Sequence, residues 1–327
     1  MAPSAPKPPS VSVVIASHER PLRLRWLLNA LEEQTLAPDA FEIIVVHDGA
    51  GPAGAETERL LAEHPLRRAG RLRHLHLTPG SGSPGRQRNA GWQSSAAELI
   101  AFTDDDCRPE PEWLERLVEG AGENPGAVVQ GATRADPFEV ELLKAPHART
   151  IEVEPPGPFA QACNIVYPRD ALERTAGFAE QLSAGEDTDL ALRVRERGLD
   201  YVGAPHALVN HAVTAPSLAA TVAAAGRWSD LAYVVAEHPQ MRERLAGGVF
   251  WRGSHAALLA AGLGIATRRR IPALAAALPY LYLRGPRSPR PRSLVAGLAR
   301  LPGRVAVDTA EIVACARGAV RHRTPFL

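Results

Sequence analysis

The spacing of apolar and polar positions lays out an alternating α/β plan along the first two-thirds of the chain. Val11–Ala16 is a β-branched run suited to a buried parallel strand. A polar turn follows, Pro21 stands where a helix can start, and Leu24, Leu27, Leu28 and Leu31 recur at helical spacing. Phe41–Val46 is a second buried-strand run and ends in His47-Asp48-Gly49. Strand, helix and strand of these lengths make a βαβ unit, because parallel strands need a crossover. The alternation continues with a helix at 55–63, a strand at 72–77, a Gly/Ser/Pro loop at 78–85, a helix at 86–97 and a strand at 98–102. A helix near 111–121 and a strand near 127–133 come next, then a Pro-rich stretch at 155–158 and the apolar run Ala162–Tyr167. An amphipathic helix opens at Gly185-Glu186-Asp187, runs through Arg197 and meets Gly198 as a left-handed cap, and a strand leads on to Val209-Asn210-His211.

From Ser217 the pattern turns helical, rich in Ala and Arg, with a Pro/Arg break at Gly285–Pro291. Its most apolar windows, Ala256–Ala266 and Ile271–Leu283, are separated by Arg268-Arg269-Arg270. Each is shorter than the roughly 20 residues that cross a bilayer. The expected division is a disordered lead at 1–10, an α/β domain at 11–215 and a helical C-terminal region at 216–327.

Charge sharpens that division. The net charge is only +1, but Ser217–Leu327 holds sixteen arginines and no lysine against five acids, +11, leaving −10 upstream. Such asymmetry between halves points to an anionic surface as a partner of the basic part. Cys107, Cys163 and Cys315 are an odd number without C-x-x-C spacing, which indicates neither a disulfide framework nor a zinc site and fits a reducing compartment. The opening MAPSAPKPPS has no apolar stretch of the kind a signal peptide carries. The expected location is the cytoplasm, with a peripheral place on the inner face of the plasma membrane.

The expected strand at 98–102 runs directly into Thr103-Asp104-Asp105-Asp106, which places carboxylates at its C-terminal end, the edge where open α/β sheets bind ligands. Hard divalent cations take oxygen ligands of this kind, usually one or two carboxylates plus phosphate oxygens. An acidic helix cap is the alternative reading, since Asp caps helices and complements their dipole. Trp92 and Trp113 sit on expected helices, where aromatic residues more commonly pack in a core than stack on a sugar or base.

From Val11 to His211 the motifs resemble, in order and spacing, those of family 2 glycosyltransferases. VSVVIASHERP is similar to that family's first strand and nucleotide-binding turn, VVHDGA to its V-D-D-G-S segment, with His47 in place of an acid, and Asp104-Asp105-Asp106 to its D-x-D element. Gly80–Gly85 followed by Arg86-Gln-Arg88-Asn89-Ala-Gly91 resembles G-x-x-x-A-R-N-x-G, and Gly185-Glu186-Asp187 resembles its E-D motif. The resemblance implies a GT-A fold, a Rossmann-like, mostly parallel sheet flanked by helices, and an inverting transfer of one sugar from a nucleotide-diphosphate donor to an acceptor hydroxyl. Ala16, His18, Arg20, Asp48, Arg88, Asp104 and Asp105 would contact the donor, with Asp48 on base or ribose and Arg88 on phosphate. Asp106 and His211 would hold Mg²⁺ or Mn²⁺, His206 being a competitor for the histidine role. Asp187 would be the base, and Glu186 and Asn164 would border a saccharide or lipid-linked acceptor. Arg193 would be an ion-pair partner on the same helix as Asp187. The setting implied is cell-envelope polysaccharide or glycolipid synthesis.

Two other functions share parts of this pattern. A nucleotidyltransferase also holds a metal on a Rossmann-like sheet, but carries a Gly-rich basic signature after the first strand, where Ser17-His18-Glu19-Arg20 stands here. An inactive nucleotide-sugar-binding module would keep the fold without the intact Asp106 and Asp187. For the basic tail, anionic membrane ranks ahead of nucleic acid because few aromatics are interleaved with its arginines. A helical cap or homo-oligomer interface is the other use for its apolar faces.

Overall fold

The computed structural model describes residues 9–80, 82–286 and 291–327. Most of the expected lead and the centre of the break at 285–291 lie outside them, as does Ser81 of the glycine loop. The chain forms two compact units, one built from the residues up to Leu143 with Arg149–Thr214, the other from Lys144–Ala148 with Ala215–Leu327.

The first unit is an eight-stranded sheet with helices on both faces. Strand β1 (Val11–Ser17) leads to helix α1 (Pro21–Glu32), β2 (Phe41–His47), α2 (Gly51–Glu63), the short α3 (Pro65–Arg68), β3 (Leu72–His76), α4 (Pro84–Ser94) and β4 (Leu99–Asp104). Then come β5 (Cys107–Pro109), α5 (Trp113–Glu123), β6 (Val128–Ala135), β7 (Asn164–Pro168), α6 (Arg169–Thr175), α7 (Glu186–Glu196) and β8 (Tyr201–His211). The spatial order is β3-β2-β1-β4-β7-β6-β8-β5.

The apolar runs form strands because both faces of the sheet are covered. Val11, Val13, Ile15, Ile43 and Val45 pack with Leu24, Leu27 and Leu28 of α1 on one face; Val14, Ile44 and Val46 pack with Trp92 of α4 on the other. Gly91 explains the close seat of α4, since a Cβ there would lie 2.3 Å from Val14 Cγ1.

The sheet is mixed. β3-β2-β1-β4 is parallel, but β7 enters antiparallel between β4 and β6, and β5 pairs antiparallel with β8. Several boundaries also differ from expectation. Pro52, placed at the start of α2, begins that helix at Gly51 rather than 55. Strand β4 continues through Asp104, so only Asp105 and Asp106 form the turn into β5. Gly198 does adopt the left-handed conformation, with φ +81°.

The second unit is helical: α8 (Leu218–Ala224), α9 (Leu231–Glu237), α10 (Gly253–Ala266), α11 (Arg270–Arg284) and α12 (Pro291–His322). Buried polar groups join its helices. Asp308 of α12 accepts from Tyr280 at 3.0 Å and from Arg284 at 2.9 Å, and Glu311 lies 3.1 Å from both Arg252 and His255. Among the described residues, no helix is long and apolar enough to cross a membrane. Leu263, Ile265, Ile271, Leu274, Leu278 and Tyr282 nonetheless stand exposed on α10 and α11 and the turn between them.

Candidate active site

The carboxylates at the end of β4 are each held differently, because the chain turns between them. Asp105 points inward and is buried. It accepts from Ser17 Oγ at 2.9 Å, the His18 amide at 3.1 Å and Arg20 at 3.1 Å. Burial pushes its pKa up to about 6 against the pull of Arg20. Its bonds therefore tie the turn after β1 to the turn after β4.

Asp106 points the other way. Its Oδ2 takes a 2.7 Å bond from Arg20, and its Oδ1 faces His211 Nε2 at 3.5 Å. The facing is built by strand pairing, since β5, which begins at Cys107, lies against His211 of β8. His211 Nδ1 is 2.9 Å from the carbonyl of Ala212, which can only accept, and 3.2 Å from Thr150 Oγ1, so Nδ1 is engaged with the protein and Nε2 is the ring nitrogen left facing Asp106. A carboxylate oxygen and a ring nitrogen so placed are two donors that one cation could bridge. A carboxylate oxygen and a neutral imidazole suit Mn²⁺, and Mg²⁺ less so, with phosphate and water oxygens completing the shell. Cys107 lies near both but offers little: burial raises its thiol well above the usual range, and Sγ sits 3.8 Å from the Cys163 carbonyl. His206 is exposed further back on β8.

Asp48 is buried at the end of β2 and organises the opposite wall. It meets His18 Nδ1 at 2.7 Å and accepts from the Gly82 amide at 3.1 Å and Gln87 Nε2 at 2.9 Å. Gln87 also bonds the Ser17 carbonyl at 3.1 Å, so it joins α4 to the ends of β1 and β2, a role the sequence reading missed although the residue lies inside the motif it singled out. Ala16, half-buried, lies in register between Val46 and Asp104.

Arg88 is placed differently from the phosphate ligand expected of it. It is buried and spans Asp104 and Glu186, 2.7 Å from each. Burial disfavours its charge, but those two carboxylates outweigh that cost and raise its pKa. Glu186 is buried in this pair, not open to an acceptor. Next to it, at the start of α7, Asp187 is half-buried and takes a 2.7 Å bond from the Thr188 amide. Burial, and then the charge of Glu186, raise its pKa to about 7. Arg193 pairs with Asp189, 2.7 Å away, and with backbone carbonyls rather than with Asp187.

Asn164, expected beside the acceptor, lies inside the unit. It is buried at the start of β7, donates to the carbonyls of Ala132 at 2.7 Å and Ala207 at 2.8 Å, and accepts from Trp113 Nε1 at 2.7 Å. Its amide is engaged in joining β6, β7, β8 and α5. Trp113 and Trp92 are both buried, as core residues.

The model of glycosyl transferase family 2 matches residues 12–179, just over half of the chain. The chain belongs to that family. Within glycosyl transferase family 2 it is similar to the pre-mycofactocin glycosyltransferase of Mycobacterium tuberculosis H37Rv, 29% identical over 227 residues. That match covers 64% of this chain and 44% of the relative, so the chain spans less than half the relative's length. Glycosyltransferase AglE of Haloferax volcanii is 26% identical over 203 residues, covering 58% of this chain and 62% of AglE. Among solved structures, the mannosyltransferase PcManGT of Pyrobaculum calidifontis, in complex with GDP-Man and Mn²⁺, matches with a TM-score of 0.60 at 20% identity, covering 96% of this chain and 89% of that one. At that identity the likeness is one of fold, and the fold is GT-A.

Proposed function

We propose that this family 2 glycosyltransferase transfers one sugar from a nucleotide-diphosphate donor to an acceptor hydroxyl with inversion. The observation that carries this reading is the pairing of a raised-pKa carboxylate, Asp187, with the Asp106–His211 pair in one GT-A unit. Asp106 and His211 are the residues that would hold Mg²⁺ or Mn²⁺, which supplies positive charge to the departing diphosphate when bound. Asp187 takes the acceptor's proton as the hydroxyl oxygen bonds to the anomeric carbon, and the bond from that carbon to the diphosphate oxygen breaks with its electron pair leaving on the nucleotide. Attack from the face opposite the leaving group inverts the centre without a covalent enzyme intermediate. Arg20, half-exposed beside Asp106, is positioned to meet a phosphate oxygen, while Asp48, Asp105, Gln87 and Arg88 hold the walls.

The same reading places the acceptor on saccharide or lipid-linked envelope material, with the enzyme peripheral on an anionic membrane. The +11 balance of Ser217–Leu327 and the exposed apolar residues of α10 and α11 support that contact. The test is transfer measured against a panel of nucleotide-diphosphate sugars with Mn²⁺ or Mg²⁺ and saccharide or polyprenyl acceptors. Release of free nucleotide diphosphate in equal amount to an inverted glycoside is the expected result. Formation of a sugar nucleotide with release of pyrophosphate would instead establish nucleotidyl transfer.

A further inference from the structure

A second cluster lies on the α2 side of the sheet. β2 and β3 run parallel with His47 beside His76 and Val45 beside His74. Side chains alternate along strands and register partners share a face, so His47, His74 and His76 all point to the side that carries Val45 and α2. Glu58 of α2 is laid over them: Oε1 is 2.9 Å from His47 Nε2 and 3.1 Å from His76 Nδ1, and Oε2 is 3.1 Å from His74 Nε2.

The rings of His47 and His76 stack at 4.4 Å. His47 is only 1% exposed, and neither of its ring nitrogens makes a hydrogen bond of normal geometry with the described residues; nor does His74 Nδ1. One ligand atom from each of His47, Glu58 and His74 lies within 4.8 Å of the others.

We propose that His47, His74 and Glu58 form a second metal site, separate from Asp106 and His211, that binds a borderline cation of the zinc class. Two imidazole nitrogens and a carboxylate oxygen are a familiar zinc donor set, and water or His76 supplies the fourth position. Imidazole-rich sites favour such ions over Mg²⁺. Side chains of Glu58 and His76, 38% and 42% exposed, form the way in from solvent. An ion there would pin β2 to α2 one residue before Asp48, and so stiffen the loop that Asp48 organises. The proposal does not depend on the transferase reading.

The test uses full-length, tag-free protein stripped with a chelator and titrated with ZnCl₂ by calorimetry, and with Co²⁺ followed by its visible absorption. Asp106→Ala, which disables the other site, is expected to keep one zinc equivalent and to give the intense Co²⁺ bands of a four-coordinate site. Glu58→Gln and His74→Asn, each made in the Asp106→Ala background and checked for folding by circular dichroism, are expected to weaken that binding tenfold or more. Even loss of a supporting partner typically costs about 10–100-fold. Absence of zinc binding in Asp106→Ala would overturn the proposal without touching the transferase reading. So would unchanged affinity in folded Glu58→Gln, which would leave the cluster as a carboxylate lying against three imidazoles.

Discussion

Arg88 and Glu186 meet at 2.7 Å inside the protein, and the same guanidinium reaches Asp104 at 2.7 Å with its other nitrogen. One arginine thus pairs with a carboxylate from β4 and one from α7, and sets the start of α7, where Asp187 stands, against the end of β4. Breaking a buried pair from one side strands the remaining charge, at a cost of about 3–5 kcal/mol. Arg88→Ala is therefore expected to lower the urea midpoint markedly and to abolish transfer. Arg88→Lys should rescue little, since a single ammonium cannot reproduce the two-pronged contact. Wild-type stability of Arg88→Ala with only donor affinity lost would make Arg88 a donor ligand after all.

The raised pKa of Asp187 has two consequences of opposite kind. Transfer needs the ionised base, so kcat should climb as pH rises and level off above about 7. For stability the sign is reversed. A folded-state pKa above the unfolded value means that the native state keeps a proton the unfolded chain has released, so this group lowers stability as pH rises from about 4 to about 7. Asp187→Asn should lose transfer by at least about 10²-fold while keeping donor binding, and should gain stability relative to wild type at alkaline pH. A pH-independent kcat from about 5 to 8 would remove Asp187 from the role of base.

Asp106→Ala is expected to keep the fold, because the residue is tied only to Arg20 and faces His211, and to lose metal-dependent binding of a nucleoside diphosphate. Thermal shift with and without Mn²⁺ measures this, since a ligand of the native state raises the apparent melting temperature. Transfer that survives in Asp106→Ala with EDTA present would contradict the assignment.

Asn164→Ala separates a joining role from the expected acceptor role. The substitution leaves the Trp113 indole and the carbonyls of Ala132 and Ala207 without their buried partner. Each unsatisfied group costs about 1–3 kcal/mol, so the loss of stability should be several kcal/mol, with the acceptor KM unchanged in whatever protein remains folded. Normal stability with a raised acceptor KM would return Asn164 to the acceptor site.

These residues also mark where the sequence was legible. The strands and helices of the first unit could be read because each covers a continuous apolar stripe, and the ends of β4 and β8 could be singled out because acids and a histidine close apolar runs. What one-dimensional spacing does not carry is direction: Arg88 and Asn164 lie on motifs that suit ligand contact, yet both turn inward to partners 98 and 43 residues away. The antiparallel insertion of β7 is of the same kind, since strand order depends on contacts made across the fold. The Glu58 cluster had a local trace, the His74-Leu-His76 alternation, but its other members come from β2 and α2.

The second unit carries the last prediction. Ile271, Leu274, Leu278 and Tyr282 stand exposed on α11, and Leu263 and Ile265 on α10, with Arg268–Arg270 in the turn and at the start of α11. Neither helix is long enough to span a bilayer, but apolar side chains flanked by arginines suit helices lying at the headgroup level, where each basic residue contributes about 1 kcal/mol of attraction before screening. Full-length protein is expected to float with vesicles of anionic lipid at low salt, less so at high salt, and not with neutral vesicles. Ile271→Asp with Leu278→Asp should abolish flotation at little cost in stability, since both side chains are exposed in the folded chain. If the folded protein fails to float with anionic vesicles at low salt, and elutes as a dimer that the same two substitutions dissociate, the apolar faces of α10 and α11 serve a second copy of the chain instead of a membrane.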